Sequence, residues 1–199
     1  MFLATKSENT RSPRIRNSVG LPGAQIYSFE PLRDCYEQLA AISRHIPGIH
    51  AFHFAIGEKS ETMTMHRSSQ TLSSSLLKMG TLHKIAFPDT AELTTEEISV
   101  KTLAEAVQPL DLKDNLFIKI DVQGYEMQVL RGGPEVIKRA KVLIVETSFY
   151  PLYEGQAFFG EIYQTLSNYG FTYMGDFESI KNPANGAALQ GNAIFLNQR

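Results

Sequence analysis

Hydrophobic and polar positions alternate most clearly in residues 116–133, LFIKIDVQGYEMQVLRGG. Apolar residues at every second position from 118 to 122 predict a strand whose last residues include Asp121. Gly124 predicts a turn, and apolar residues three apart after it predict a helix that ends at two glycines and a proline. This segment therefore predicts a carboxylate at the carboxyl end of a strand, which is where open α/β sheets bind ligands.

The same order of strand and helix repeats along most of the chain and predicts an α/β fold with a mainly parallel sheet between helices. The last two predicted strands are separated by a polar loop, so they are expected to pair antiparallel. Residues 68–97 lose the pattern, and a connection of this length is expected to be functional, as a lid for example. The remaining predicted strands are 25–29, 50–56, 62–66, 98–101, 142–146, 171–177 and 193–196, and the remaining helices are 32–39, 103–107, 134–140 and 159–166.

Composition narrows the class of protein. The 199 residues are 43% hydrophobic and 20% charged with a net charge of −2, which is typical of one soluble domain and gives no electrostatic reason to expect nucleic acid as a partner. No stretch reaches the roughly 18 consecutive apolar residues of a membrane span, and the N-terminus has no signal-like apolar run, so a cytoplasmic protein without a membrane partner is expected. Residues 1–20 contain few core residues and are predicted to be a poorly defined segment before a domain at 21–199.

Acidic residues end three predicted strands: Glu30, Asp121 and Glu146. Parallel strands end along one edge of a sheet, so these acids are expected to meet at one cleft, where a carboxylate can accept hydrogen bonds from a ribose. The alternative is that each acid caps a helix or faces solvent. No metal site is predicted, because His50 and His53 lie three apart in a predicted strand and so face opposite sides.

Several segments together resemble the FkbM family of S-adenosylmethionine-dependent methyltransferases, in the family's order and over roughly residues 20–197. The resemblance implies a Rossmann-like class I methyltransferase fold, with a seven-stranded sheet that ends in an antiparallel hairpin. It also implies methyl transfer to a hydroxyl of a sugar or small metabolite. The segments are IYSFEP (26–31), FAIGE (54–58), FIKIDVQGYEMQVLRGG (117–133), VETSFYPLYEG (145–155) and ALQGNAIFLN (188–197).

The resemblance also implies roles for individual residues. Glu30 matches the acid that holds the cofactor ribose, and Ala55 and Ile56 match the region beside the adenine. Asp121 matches the acid that borders the methionine end of the cofactor and the acceptor, so it is the expected catalytic residue. Asn9 lies 21 residues before Glu30 and matches the family's first glycine-rich turn, which also binds the cofactor.

The chain departs from the family at two places. Gln123 stands where the family usually has a glutamate, and an amide cannot act as a base or add charge to a metal site. Residues 7–11 read Ser-Glu-Asn-Thr-Arg where relatives have a turn with two glycines. Residues 2–5 either form a short first strand, which is central in the family's sheet, or leave its neighbours unpaired.

The sequence therefore predicts an S-adenosylmethionine-dependent O-methyltransferase that acts on a small molecule or carbohydrate. The alternative is a non-catalytic or truncated methyltransferase-like protein that no longer binds the cofactor. A nicotinamide-dinucleotide enzyme would also use an acid after its second strand, but the chain has no Gly-x-Gly-x-x-Gly motif.

Overall fold

A computed structural model describes residues 2–4, 23–90 and 92–198. The strands are β1 (Phe2–Ala4), β2 (Ile26–Phe29), β3 (Ile49–Phe52), β4 (Ala55–Gly57), β5 (Glu61–Ser68), β6 (Glu92–Thr102), β7 (Phe117–Ile120), β8 (Val142–Ser148), β9 (Phe171–Lys181) and β10 (Ala188–Asn197). The helices are α1 (Arg33–Ser43), α2 (Thr81–Ala86), α3 (Leu103–Val107), α4 (Glu126–Arg131), α5 (Pro134–Ile137) and α6 (Phe159–Asn168), with single 3₁₀ turns at Thr71–Ser73 and Pro88–Thr90.

Seven strands form the main sheet in the order β3-β2-β1-β7-β8-β10-β9. The first five of these are parallel, whereas β10 runs antiparallel to both β8 and β9. The predicted mixed α/β fold with a C-terminal antiparallel hairpin is therefore confirmed.

The short strand β1 lies at the centre of this sheet. Phe2 is in register with Ile26 of β2 on one side and with Phe117 of β7 on the other. Residues 2–4 thus form the first strand, so β2 and β7 keep their partner. Residues 5–22, which include Asn9 and the segment that replaces the glycine-rich turn, lie outside the described residues.

The single strand predicted at 50–56 was wrong, because the chain bends between β3 and β4. β4 leaves the main sheet and joins a second, three-stranded sheet of order β4-β6-β5. The alternation had suggested one strand because Phe52 and Phe54 both pack on Phe29, with ring centroids 5.3 and 5.4 Å away. Because both rings pack on Phe29, aromatic residues recur at every second position even though the chain bends between them.

The connection predicted as an unpatterned lid at 68–97 is folded and anchored. β6 begins at Glu92 and is 11 residues long, where the sequence predicted only 98–101. The backbone N–H of Gly80 donates to Leu152 O (2.8 Å) and that of Glu154 donates to Lys78 O (2.9 Å). Residues 78–80 are thus paired with the segment that follows β8.

Helices α3 to α6 and the main sheet enclose the largest hydrophobic core. Ile118, Ile120, Leu130 and Val145 are completely buried there, and each such side chain stabilises the fold by about 1.5 to 3 kcal/mol relative to exposure. The helix at 103–107 has its predicted bounds, because Thr102 Oγ1 accepts a hydrogen bond from the Glu105 N–H at 3.1 Å. None of the helices in the described part of the chain is both long and apolar enough to cross a membrane.

Candidate functional site

The turn between β7 and α4 has two consecutive residues in the left-handed region. Gln123 has φ of 55° and Gly124 has φ of 95°, and glycine adopts this conformation readily whereas glutamine does not. Gly124 is also packed closely, since a Cβ there would lie 3.0 Å from Cβ of Tyr153. The turn is held by Glu126, whose Oε1 accepts hydrogen bonds from the N–H groups of Val122 and Gly124, both at 3.1 Å.

Glu126 is buried, with 5% of its surface exposed. Burial disfavours the ionised form and raises the pKa of Glu126 to about 7, although hydrogen bonds from backbone N–H groups act in the opposite direction. The carboxyl that closes the turn therefore titrates near neutral pH.

The side-chain amide of Gln123 joins two of the three acids predicted at the strand ends. Its Nε2 donates to Asp121 Oδ1 at 3.0 Å and to Glu146 Oε2 at 2.6 Å. Lys119 Nζ lies 2.9 Å from the other oxygen of Asp121, in an ion pair that is largely buried. Two carboxylates from β7 and β8 thus lie side by side at the carboxyl edge of the sheet.

The third acid, Glu30, occupies a different environment. It follows β2, which is separated from β7 by β1, and it is 1% exposed. Its Oε1 accepts a hydrogen bond from the Leu32 N–H at 3.0 Å, at the start of α1. One oxygen of Glu30 thus binds the backbone of Leu32, the N-cap residue of α1, but Glu30 does not cap the helix itself.

Two residues link the connection after β5 to this turn. The Tyr153 hydroxyl lies 2.9 Å from Gln123 Oε1 and 3.2 Å from Ser73 O, and can donate to either. Ser75 Oγ donates to the backbone oxygen of Gln123 at 2.6 Å. Sequence reasoning missed Ser75 because it lies in a serine-rich stretch without a pattern.

Tyr153 is 2% exposed, and burial raises its pKa well above the usual value, with Glu146, Glu126 and Asp121 adding to the effect. The phenol is therefore neutral throughout the physiological range and serves as a hydrogen-bond donor.

A shallow cleft lined mainly by apolar residues lies beside the acidic turn. Ala55 and Ile56 line it, together with residues that directly follow Glu30 and Asp121 in the chain. The lining residues are Pro31, Ala55, Ile56, Met65, Ser74, Leu76, Val122 and Tyr125.

Among the residues that the structure describes, no group of three or more His, Cys, Asp or Glu side chains is arranged to hold a metal ion. His50 and His53 lie in separate contacts: the ring of His50 stacks on Tyr27 and that of His53 on Tyr36.

Comparison with known proteins gives a family and a fold. The family model of the methyltransferase FkbM domain matches residues 11–173. The crystal structure of a methyltransferase FkbM from Methylobacillus flagellatus KT aligns at a TM-score of 0.53 with 13% identity. That alignment covers 98% of this chain but only 42% of the other, so this chain spans less than half the length of that protein. No curated protein sequence gives a significant match.

Two other methyltransferase structures are similar at lower scores. The magnesium protoporphyrin IX methyltransferase from Synechocystis PCC 6803, solved with bound SAM, aligns at a TM-score of 0.45 with 10% identity, over 99% of this chain and 69% of its own. The precorrin-6y C5,15-methyltransferase from Geobacter metallireducens GS-15 aligns at 0.46 with 10% identity, over 98% of this chain and 77% of its own.

Proposed function

Because the chain belongs to the FkbM methyltransferase domain family, we propose that it transfers a methyl group from S-adenosylmethionine to a hydroxyl of a sugar or small metabolite. The observation that carries this proposal is the arrangement of the cleft. Ala55 and Ile56 line an apolar cleft whose walls continue into Pro31 and Val122, the residues that follow Glu30 and Asp121. An apolar slot with carboxylates at its border suits a nucleoside with an attached charged group.

The residues at the cleft fit this cofactor. The apolar side chains of Ala55 and Ile56 are proposed to pack against the adenine ring, and Glu30, which follows β2, is proposed to accept hydrogen bonds from the ribose hydroxyls. Asp121 follows β7 and is proposed to border the methionine end and the acceptor. We expect the acceptor to be a small molecule or carbohydrate, because the net charge of −2 offers no general attraction to nucleic acid.

The cofactor supplies, when bound, a methyl group on a positively charged sulfur. An acceptor hydroxyl that took up this methyl group would have to release its proton to a base. Asp121 and Glu146 provide carboxylate oxygens at the carboxyl edge that can accept this proton or hold the hydroxyl in line. Alignment supplies much of the rate in such a transfer, so no strong nucleophile is required of the protein.

A thermal-shift titration with S-adenosylmethionine and with its demethylated product tests the proposal. Ligand at about 100 times its dissociation constant adds roughly 2.7 kcal/mol of stability, which for a domain of this size raises the melting temperature by roughly 5 to 11 °C. The Glu30→Ala variant is expected to lose the shift, whereas Glu154→Ala, at an exposed glutamate, keeps it. Absence of any shift at millimolar ligand would contradict cofactor binding by this chain.

A second candidate is a methyltransferase-like protein that does not bind the cofactor. The observation in its favour is the sequence Ser-Glu-Asn-Thr-Arg at 7–11 where a glycine-rich turn is expected. Side chains at a turn that must approach the cofactor closely would obstruct it. The same titration decides between the two candidates, because only the first predicts a ligand-dependent rise in melting temperature.

A further inference from the structure

Both the nitrogen and the oxygen of the Gln123 side-chain amide have hydrogen-bond partners. Nε2 carries two hydrogens and has two carboxylate partners, Asp121 at 3.0 Å and Glu146 at 2.6 Å. Oε1 has the Tyr153 hydroxyl at 2.9 Å. A flipped amide would place its oxygen against both carboxylates, so the hydrogen bonds fix one orientation of the side chain.

The backbone of Gln123 is also held in an unfavourable conformation by its surroundings. Its φ of 55° is uncommon for a residue with a Cβ, and its carbonyl oxygen is held by Ser75 Oγ at 2.6 Å. The side chain is 8% exposed. A strained, buried residue that bridges two strands and a distant serine is positioned by the whole fold rather than by its neighbours in sequence.

The neutral amide decides the charge of the site. Two carboxylates that share a donor can both stay ionised, because hydrogen bonding to the charged form favours that form. A glutamate at 123, the residue that the family usually has, would place a third carboxylate against the first two. Three adjacent carboxyl groups cannot all ionise at neutral pH, so such a cluster retains a proton.

The titratable groups that face this amide come from several elements. Lys119 and Asp121 belong to β7 and the residue after it, Glu126 to α4, Glu146 to β8, and Tyr153 to the segment after β8. Lys119 offsets one negative charge, and Tyr153 is neutral at physiological pH. The pair of carboxylates therefore has one cation and one neutral amide to stabilise it within this set.

We infer that Gln123 is a positioning residue that holds Asp121 and Glu146 side by side as two ionised carboxylates. The functional purpose of this arrangement rests on the proposed methyl transfer. The ionisation of the two carboxylates, however, is a property of the folded protein alone. It can therefore be tested without cofactor or acceptor.

The experiment follows the carboxyl carbons of the folded protein by NMR from pH 4 to pH 8, using ¹³C-labelled aspartate and glutamate. Asp121→Asn and Glu146→Gln identify the two signals. In the unaltered protein, both carboxyl signals are expected to remain at the ionised position throughout pH 6 to 8. A residue that served only to fill space would not control these signals.

Two variants remove the amide in different ways. In Gln123→Glu, a carboxyl signal of the cluster is expected to titrate near or above pH 7, because the cluster then retains a proton. In Gln123→Met, which has a similar length and no donor, at least one of Asp121 and Glu146 is expected to titrate about one pH unit or more above its value in the unaltered protein. Gln164→Glu adds the same charge on an exposed face of α6 and is expected to change neither signal.

The inference is overturned if Asp121 and Glu146 titrate unchanged in Gln123→Met, or if either is already protonated at pH 7 in the unaltered protein. If Gln123→Glu does not fold, the methionine variant alone decides. Loss of the proposed function would appear differently, as absence of a thermal shift with S-adenosylmethionine while both carboxyl signals remain ionised.

Discussion

The two sheets of this protein are stabilised in different ways. The seven-stranded sheet lies against a core in which 22 of the described hydrophobic residues are buried, whereas the core beside the three-stranded sheet contains five. β4 of the small sheet contributes to both cores: Ile56 is buried in the large core and Ala55 in the small one. The comparison indicates that the main sheet is stabilised by its own core, while the small sheet depends on its contacts with the main one.

The largest expected effect on stability comes from a substitution at the contact between α4 and β4 of the small sheet. A Cβ at Gly132, which ends α4, would lie 1.9 Å from the carbonyl oxygen of Gly57 in β4. Gly132→Ala must force the two backbones apart, and we expect it to lower the free energy of unfolding by about 3 kcal/mol or more, at or above the upper end for overpacking. Urea unfolding measures the change.

Gly160→Ala is the matched control for Gly132→Ala. A Cβ at Gly160 meets nothing within 4 Å and the residue is helical, so this variant is expected to gain roughly 0.5 to 1 kcal/mol. Equal stability of the two variants would show that the Gly57 and Gly132 backbones are not in firm contact.

The next effect concerns the acidic turn of the main sheet. Burial raises the pKa of Glu126 from 4.5 to about 7, so the folded protein holds a proton that the unfolded chain has released. This contribution to stability is fully present below pH 4.5 and is lost as the pH rises through 7, by up to about 3 kcal/mol.

Glu126→Gln isolates this contribution, because an amide oxygen can still accept from the N–H groups of Val122 and Gly124. The difference in unfolding free energy between the two proteins, measured by urea titration at several pH values, is expected to change steadily between pH 4.5 and 7. A constant difference over that range would mean that Glu126 is ionised when buried.

The connection beside the small sheet is expected to respond to pH in the opposite direction. His83 is buried against the rings of Phe87 and Tyr153, and this burial lowers its pKa from 6.5 to about 4. The unfolded chain binds a proton first, so the stabilising contribution is present above pH 6.5 and is lost as the pH falls through 4. We expect a change of about 1 to 2 kcal/mol after allowance for solvent screening.

His83→Leu removes the titration while it keeps a side chain of similar volume. It also loses the hydrogen bond of Nε2 with Thr90 Oγ1 at 3.0 Å, so its absolute stability is lower and the informative quantity is the slope with pH. If the slope between pH 4 and 6.5 is the same with leucine, His83 is not the group responsible.

The smallest expected effect on stability concerns the ion pairs of Arg67, where the small sheet meets α1. Arg67 of β5 binds Asp34 of α1 at 2.7 Å and Glu96 of β6 at 2.8 Å, with about a quarter of its side chain exposed. Arg67→Met is expected to cost roughly 0.5 to 1 kcal/mol, and less in high salt. Arg33→Met removes a more exposed ion pair with Glu37 and should cost less stability still. If Arg33→Met cost more than Arg67→Met, the ion pairs of Arg67 would not be the more stabilising ones.

The main sheet could be predicted from sequence because its pattern is local. Alternation around Ile118, the capping pair Thr102 and Glu105, and the apolar run that begins at Val142 each indicate an element within a few residues. The bend after Phe52 could not be predicted, since the aromatic pattern continues across it. β6 begins earlier than predicted because residues 94–97 are Thr-Thr-Glu-Glu, which lack the apolar alternation of a strand, and three of these four residues are exposed.

The candidate site, like the fold, could be predicted from sequence only in part. The position of Asp121 directly after β7 followed from the strand pattern, whereas β8 continues two residues beyond Glu146, where the sequence predicted its end. The hydrogen-bond donor that the two acids share could not be predicted. Gln123 binds Glu146 from a left-handed turn position, and Tyr153 lies 30 residues away from it in the chain. No spacing rule connects residues that a turn conformation and a distant segment bring together.

The central position of β1 determines when the sheet can be completed during synthesis. Phe2 is in register with Ile26 and also with Phe117, which lies 115 residues after it (117 − 2). At roughly 5 to 20 residues per second, a ribosome needs about 6 to 23 s to make that interval. Throughout this time β1 can pair only with β2, and the edge that later meets β7 stays exposed to other strands. The growing chain is therefore most vulnerable to wrong pairing before residue 120 emerges, and the acidic turn is completed later still, because Glu146 and Tyr153 follow Gln123 in the chain.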